Sequence, residues 1–261
     1  METRKQLIAL AIYYRGNWNK ILQALSAKKL LPDATVEYCF SLLKSKVITI
    51  LDSDYPEYLK ELTTPPFVLF YYGDISLIND PSKCISVVGS REPSMRGKEM
   101  TQRLVKGLPK DTIVVSGLAK GIDSIAHKAA IASGHKTIGV IGCGIDNIYP
   151  YENKSLYARI RKNGNLLVSE YPDMYPPNQF NFPVRNRLIA MFSSNLLVTE
   201  AKVKSGSMIT VFYAQNFGRN IMAVPSADYG NSGCNVLIRE GAMLVESEQD
   251  VNDYCTPKTL L

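Results

Sequence analysis

The stretch Cys84-Ile85-Ser86-Val87-Val88-Gly89-Ser90-Arg91 decides how this chain reads: an apolar, β-branched run closes on two small residues and a cation. The pattern recurs. Residues 112–115 close on Ser116-Gly117, 137–141 on Gly142-Cys143-Gly144, and 195–199 on Glu200-Ala201-Lys202, with further apolar runs at 166–169, 221–224 and 242–245. Runs this short, apolar on both faces, suit strands covered by helices on both sides. Helical patterns fill the intervals near 95–106, 121–133, 152–162, 186–193, 206–217 and 232–240. The alternation predicts an extended, Rossmann-type, doubly wound and mostly parallel α/β sheet. Such sheets bind ligands outside the carboxyl ends of their strands, so function is sought in the loops that follow each strand.

Upstream the texture changes. Residues 1–52 read as a small all-helical domain, because Trp18, Ile21, Leu22 and Leu25 recur at helical spacing, as do Val36, Cys39, Phe40 and Leu43. Its charges leave open whether it binds nucleic acid or only packs. Residues 53–80, punctuated by Tyr55-Pro56, Pro65-Pro66 and Gly73-Asp74, read as a linker with a lead-in strand at 67–72. Residues 81–261 then form the Rossmann-like domain.

Composition narrows the partners. With 261 residues, 46% hydrophobic and 21% charged, the chain is an ordinary globular protein. A formal charge of +6 permits a polyanionic partner without requiring one. No run of about 18 apolar residues exists, so no membrane insertion is expected. The N-terminus lacks the apolar core of a signal peptide. Five scattered cysteines (39, 84, 143, 234 and 255), none paired as Cys-x-x-Cys, read as reduced thiols in a cytoplasmic protein. Two histidines make a metal site unexpected, and no cofactor is called for.

The loops after the strands carry the chemistry. Gly89, Ser90 and Arg91 follow the first strand, Gly117 and Lys120 the second, and Lys202, Lys204, Ser205, Gly206 and Ser207 the fifth. Small residues admit close backbone approach and serine caps the following helix, so several such loops with cations form an anion-binding rim. At the mouth of a helix expected near 186–193, just before its apolar run, lie Phe180, Phe182, Pro183, Arg185, Asn186 and Arg187. Guanidiniums and aromatics at a helix mouth can hold phosphates and stack bases. The alternative is a set of solvated or ion-paired surface arginines around a structural proline. No Gly-x-Gly-x-x-Gly follows the first strand, and neither a P-loop nor a nucleophile elbow is present. His127 reads as a capped or core-edge histidine. Glu170 and Glu200 both follow strands and leave carboxylate chemistry open.

From Tyr55 onward the sequence resembles the DNA-processing protein A (DprA/Smf) family. The resemblance rests on Pro65-Pro66 and Gly73, Val88-Gly89-Ser90-Arg91, Ser116 to Asp123 with Ala126-His127, and Gly142-Cys143-Gly144 with Asp146 and Tyr149-Pro150. It continues through Ser169-Glu170-Tyr171-Pro172, Phe182-Pro183, Arg185-Asn186-Arg187, Glu200-Ala201, Lys204-Ser205-Gly206-Ser207 and Gly241-Ala242. It implies a sequence-independent single-stranded DNA-binding protein, not an enzyme. Such a protein protects incoming DNA in natural transformation and loads a RecA-type recombinase onto it. It further implies that the helical domain is sterile-alpha-motif-like and that a homodimer forms through about 235–245, with Asn235, Ile238 and Leu244 at the interface. Two departures are expected to alter one loop: Ser226 stands where the family has Gly, and Cys234 where Thr is common. Many members carry a winged-helix-like tail beyond the point where this sequence ends. The competing expectation is a Rossmann-fold hydrolase acting on nucleoside monophosphates, which would need a Pro-Gly-Gly loop that this sequence lacks.

Overall fold

The computed structural model describes residues 2–162 and 164–255. Three helices come first: α1 (Glu2–Tyr13), α2 (Trp18–Ser26) and α3 (Asp33–Ser41). Two strands follow, β1 (Lys46–Thr49) and β2 (Val68–Gly73). Then the alternation expected from the apolar runs begins, with β3 (Cys84–Gly89), α4 (Met95–Lys106), β4 (Ile113–Ser116), α5 (Ile122–Ala132) and β5 (Thr137–Ile141). It continues through α6 (Lys154–Ile160), β6 (Leu166–Ser169), α7 (Asn181–Met191), β7 (Asn195–Glu200) and α8 (Gly206–Asn216). It ends with β8 (Asn220–Ala223), α9 (Gly233–Arg239), β9 (Met243–Leu244) and α10 (Glu248–Cys255).

Among the described residues these strands make one nine-stranded sheet in the order β1-β2-β6-β5-β4-β3-β7-β8-β9. Every pairing from β6 to β9 is parallel, while β1 and β2 run antiparallel at one edge. The chain winds outward from β3 to β6, then returns to lay β7 against the other side of β3. Adjacent strand ends therefore diverge between β3 and β7, where open α/β sheets form their ligand crevice. One face of the sheet packs Leu104 and Val105 of α4 with Ala126 and Ala130 of α5. The opposite face packs Leu188 to Phe192 of α7 with Val211, Ala214 and Leu237.

Two expectations need correction. Residues 46–49 were expected inside the helical domain but form β1, in register from Lys46↔Tyr71 to Thr49↔Val68. Four residues of Lys-Val-Ile-Thr carry too little periodicity to separate strand from helix tail, and the partners that decide lie 19 to 25 residues on. The helix expected from residue 186 starts at Asn181. Pro183 lies in its first turn, where a missing N–H costs nothing and a fixed φ suits the helix. Arg185, Asn186 and Arg187 therefore belong to the second turn of α7 instead of standing at its mouth.

The three N-terminal helices lean on the sheet through specific contacts. Trp18 stacks on Phe67 at 5.4 Å and 15°, and its indole N–H donates to the Pro65 carbonyl at 2.8 Å. Fully buried Phe70 of β2 joins the same apolar cluster. Gly16 turns the chain between α1 and α2 at φ +72, and any Cβ there would lie 2.7 Å from the Glu170 carbonyl oxygen. The helices thus dock directly over the carboxyl end of β6. Among the described residues no helix is long and apolar enough to cross a membrane. Cys39, Cys84, Cys143 and Cys234 are buried free thiols, and burial pushes Cys84 and Cys143 up to about 12.

Candidate functional site

The ends of β5, β4, β3 and β7 are consecutive in the sheet. At a strand spacing of about 4.8 Å they span roughly 14 Å. Each carries one of the loops singled out from sequence, but the side chains divide into an inward set and an outward set.

Arg185 and Arg187 point inward, at 5% and 4% exposure. Arg185 Nη1 donates to the Gly117 carbonyl at 2.6 Å and to the Val140 carbonyl, and its Nε donates to Asn186 Oδ1 at 3.1 Å. It faces Asp123, whose carboxyl is pushed up by burial and held back by the guanidinium and the Ala119 N–H. Arg187 Nη2 pairs with Glu170 at 2.6 Å and donates to the Thr64 carbonyl at 2.9 Å, tying the linker to the end of β6. Asn186 Nδ2 donates to the Gly206 carbonyl at 3.2 Å and so fixes the start of α8. These side chains hold the loops. They lie beneath the surface, whereas the sequence placed them at an open helix mouth.

The glycines divide in the same way. A Cβ on Gly117 would meet Asp123 at 2.7 Å and Arg185 at 2.8 Å, so that loop is closed by the buried pair beneath it. Gly89 packs against Ile122, and the Ser90 N–H is taken by the Glu200 carbonyl at 2.7 Å. The Ser90 carbonyl in turn accepts from Ile122 N–H at 3.0 Å, which occupies the N-terminus of α5. The N-terminus of α4 is filled as well. Ser94 caps it through Gly97 N–H at 3.0 Å, and the Glu200 carboxylate accepts from Ser94 N–H at 3.0 Å.

The N-terminus of α8 is different. Ser205 stands at its N-cap position with its carbonyl accepting from Met208 N–H at 3.1 Å, but its side chain makes no capping bond and its hydroxyl is buried with no partner among the described residues. Gly206 has no atom within 4 Å of where a Cβ would stand. The Ser207 hydroxyl donates to the Gly89 carbonyl at 2.7 Å, which places this helix start beside the β3 loop. Arg91, Lys202 and Lys204 are exposed around it. The first N–H groups of the helix, its dipole and the exposed cations together favour an anion here.

At the β5 end the site is aromatic. Phe182 fills the space left by Gly142 and stacks on Tyr149 at 5.4 Å and 22°. Phe180 is 72% exposed on the rim of α7. Lys120 lies between the two regions, but its ammonium is 2.5 Å from Glu152, so its charge is already matched. Sequence reading missed Tyr149 as a partner of Phe182, and Glu152 and Glu200 as neutralising groups. Nothing in their spacing signalled these pairings, which close only when separate loops meet.

The dimer residues expected at 235–245 are dispersed. Asn235 is used internally, its side chain donating to the Ser226 carbonyl at 2.8 Å and accepting from Ser226 N–H at 2.9 Å. Ser226 needs no left-handed backbone, so the substitution for glycine is accommodated. Cys234 is buried and its Sγ lies 3.6 Å from the Val198 carbonyl. Ile238 packs on the core while Leu244 is 40% exposed.

Other residues that could support catalysis are engaged. His127 is fully buried, bonded through Nδ1 to the Thr137 hydroxyl at 2.6 Å and pushed down to about 3 by burial. Among the described residues no cluster of His, Cys, Asp and Glu could hold a metal ion.

Comparison with known proteins gives a consistent picture. The family model for DNA recombination-mediator protein A matches residues 46–256. DNA processing protein DprA of Streptococcus pneumoniae is 45% identical over 205 residues, covering 78% of this chain and 72% of that protein. The X-ray structure of DNA processing protein A from the same organism superposes with a TM-score of 0.78 at 37% identity, covering 95% of this chain and 92% of that one. A structure of DNA processing protein A from Helicobacter pylori, which gives insight into that protein's single-stranded DNA binding mode, superposes with a TM-score of 0.73 at 30% identity. It covers 82% of this chain and 96% of that one.

Proposed function

This chain belongs to the DNA recombination-mediator protein A family, and from that premise we propose that it binds single-stranded DNA across the strand ends from β5 to β7. The observation that carries the reading is the open N-terminus of α8 beside Arg91, Lys202 and Lys204, with Phe180, Phe182 and Tyr149 along the same edge. A phosphate seats at Gly206 and Ser205, the cations neutralise its neighbours, and an unpaired base lies on an exposed ring. Stacking of that kind contributes about 1–3 kcal/mol per base and tolerates any sequence. Arg185, Asn186 and Arg187 act as positioning residues beneath this surface.

In this reading the bound strand is incoming DNA in natural transformation, protected and handed to a RecA-type recombinase in the cytoplasm. The family's description as a recombination mediator supports that partner. A homodimer through the α9–β9 edge, with exposed Leu244 at its centre, would set two such surfaces on one strand and raise avidity without new contacts. Hydrolysis of nucleoside monophosphates is disfavoured by the engagement of its candidate groups. Glu170 is paired with Arg187, Glu200 sits on the α4 start, and His127 is buried.

The test is a titration against labelled oligo-dT and a matching duplex at two salt concentrations. Preference for the single strand with a steep salt dependence is expected, and Arg91→Ala should flatten the slope of log K against log salt by about 0.7. Equal affinity for duplex, or release of base from nucleoside monophosphates, would defeat the reading. Leu244→Asp should shift sedimentation to the monomer.

A further inference from the structure

A cavity lies off this surface, between the N-terminal helices and the loop that follows β6. It has a volume of about 300 Å3, and its walls include Ile12, Arg15, Leu42, Pro172, Met174 and Tyr175. We propose that it receives a flipped-out nucleobase of the same single strand, with Arg15 on the adjoining phosphate. The proposal rests on the single-stranded DNA reading above and extends its path by one strand end.

Continuity supports the occupant. In the sheet β6 is the neighbour of β5, so the loop after β6 adjoins the aromatic end of the surface. The two loops are stapled together: Gly144 N–H donates to the Tyr175 carbonyl at 2.7 Å, and Asn147 Nδ2 donates to the same oxygen at 3.0 Å. Gly144 leaves no room for a Cβ, which would fall 2.3 Å from the Pro172 carbonyl oxygen. The segment that lines the cavity then runs on from Tyr175 to Phe180 and Phe182 at the start of α7.

The walls suit a flat, unpaired base. Tyr175 stacks on Tyr171 at 5.3 Å and 17°, which fixes its ring and occupies one of its faces. Met174 is 63% exposed and Leu42 42% exposed, giving apolar surface at the mouth. The volume is at the lower end of small-ligand clefts and exceeds what a single base needs. The cavity is held open by a rigid frame, because the Arg15–Gly16 turn abuts Glu170 and Tyr171.

Charge selects an anionic ligand. Arg15 is exposed, and its guanidinium has no hydrogen-bond or ion-pair partner among the described residues. The one carboxylate in the wall, Asp173, is consumed internally. It accepts from Lys44 N–H at 2.5 Å, Ser45 N–H at 2.9 Å and the Ser45 hydroxyl at 2.5 Å. Asp173 is 2% exposed, so the charge presented at the mouth is the Arg15 guanidinium, which suits the phosphodiester beside a base.

The experiment uses the full chain and an oligo-dT series of increasing length, read by anisotropy, with a 2-aminopurine walked along the longest member. Wild type should gain about 5- to 150-fold in affinity at the length that first reaches the cavity, the range expected for one stacked base. At that position 2-aminopurine should be quenched. Met174→Trp, which fills the cavity, and Arg15→Glu should each abolish that gain while leaving affinity for the shortest binding oligonucleotide unchanged. Absence of the length step, or a step that survives both variants, overturns the proposal. So does loss of an acidic aromatic peptide instead of DNA on Met174→Trp, which would make the cavity a peptide site. Failure of short oligonucleotides to bind wild type would instead sink the strand-end surface itself.

Discussion

Arg185 and Arg91 carry the same side chain at the same edge of the sheet, yet they do opposite work. Arg185 is 5% exposed and spends its donors on two backbone carbonyls and one amide, over a buried carboxylate. Arg91 is exposed and follows a loop whose backbone groups are already satisfied. The inner arginine shapes the surface, and the outer one can contact what binds there. Residue type sets what a guanidinium can bond, while burial decides whether a ligand can reach it.

The largest effect should come from breaking the inner side of this comparison. Arg185→Ala leaves Asp123 buried without its cation and leaves the Gly117 and Val140 carbonyls short of a donor. Leaving a buried acceptor without its donor costs about 1–3 kcal/mol. Urea unfolding should show that loss, with DNA affinity at low temperature reduced only as far as the loops relax. A variant that unfolds like wild type but binds no DNA would put Arg185 in the outward set after all.

Acid should also act through the inner set. The folded state holds His127 at about 3 against an ordinary 6.5. Because the folded pKa is depressed, the unfolded chain takes up a proton that the folded chain refuses as pH falls below 6.5. The contribution to stability is present above that pH and is lost on the way down to about 3, at up to roughly 1.4 kcal/mol per pH unit. Melting temperatures between neutral and acid pH should therefore fall more steeply in wild type than in His127→Gln. Identical slopes would mean that the imidazole finds water in the folded state.

How much of this was legible in the sequence follows from where each signal lives. Strands β3 to β8 announce themselves, because a run buried on both faces must be apolar throughout. β1 does not, since its identity comes from pairing with β2. The loops of the site were legible because strand ends must carry small residues for chain and helix to turn. The direction of Arg185 was not, because it depends on α7 beginning at Asn181, five residues before the apolar pattern suggests. Once those five residues are helical, the second turn faces the sheet and the arginines go with it. The closed starts of α4 and α5 were hidden for a similar reason: Glu200 and Ser90, which fill them, are brought there by other elements.

A helix start that is open can be closed deliberately, which tests the outward set. Gly206 begins α8 in open space and has no left-handed φ. Gly206→Asp should stabilise the fold by about 0.3–1 kcal/mol through the helix dipole. The same carboxylate would occupy the proposed phosphate seat, so affinity for oligo-dT should fall about tenfold, at a cost near 1.4 kcal/mol of binding. Stability rising while affinity falls separates this residue from Arg185, where stability must fall first. Unchanged affinity would remove the α8 start from the DNA path.

The smallest effect is expected at Lys120, which belongs to neither side. It is exposed like Arg91 but compensated like Arg185, through Glu152 at 2.5 Å. An ammonium already matched by a carboxylate releases little from the counterion atmosphere of a strand, so Lys120→Ala should leave the salt slope nearly unchanged. Glu152→Gln should steepen that slope by about 0.7, because it frees one cation for one more phosphate. In the double variant the gain should vanish, and the four slopes together give the coupling between the two side chains. If Lys120→Ala alone flattens the slope by the full amount, the ion pair opens when DNA arrives. Exposure alone, without regard to pairing, would then be what sorts the cations of this edge.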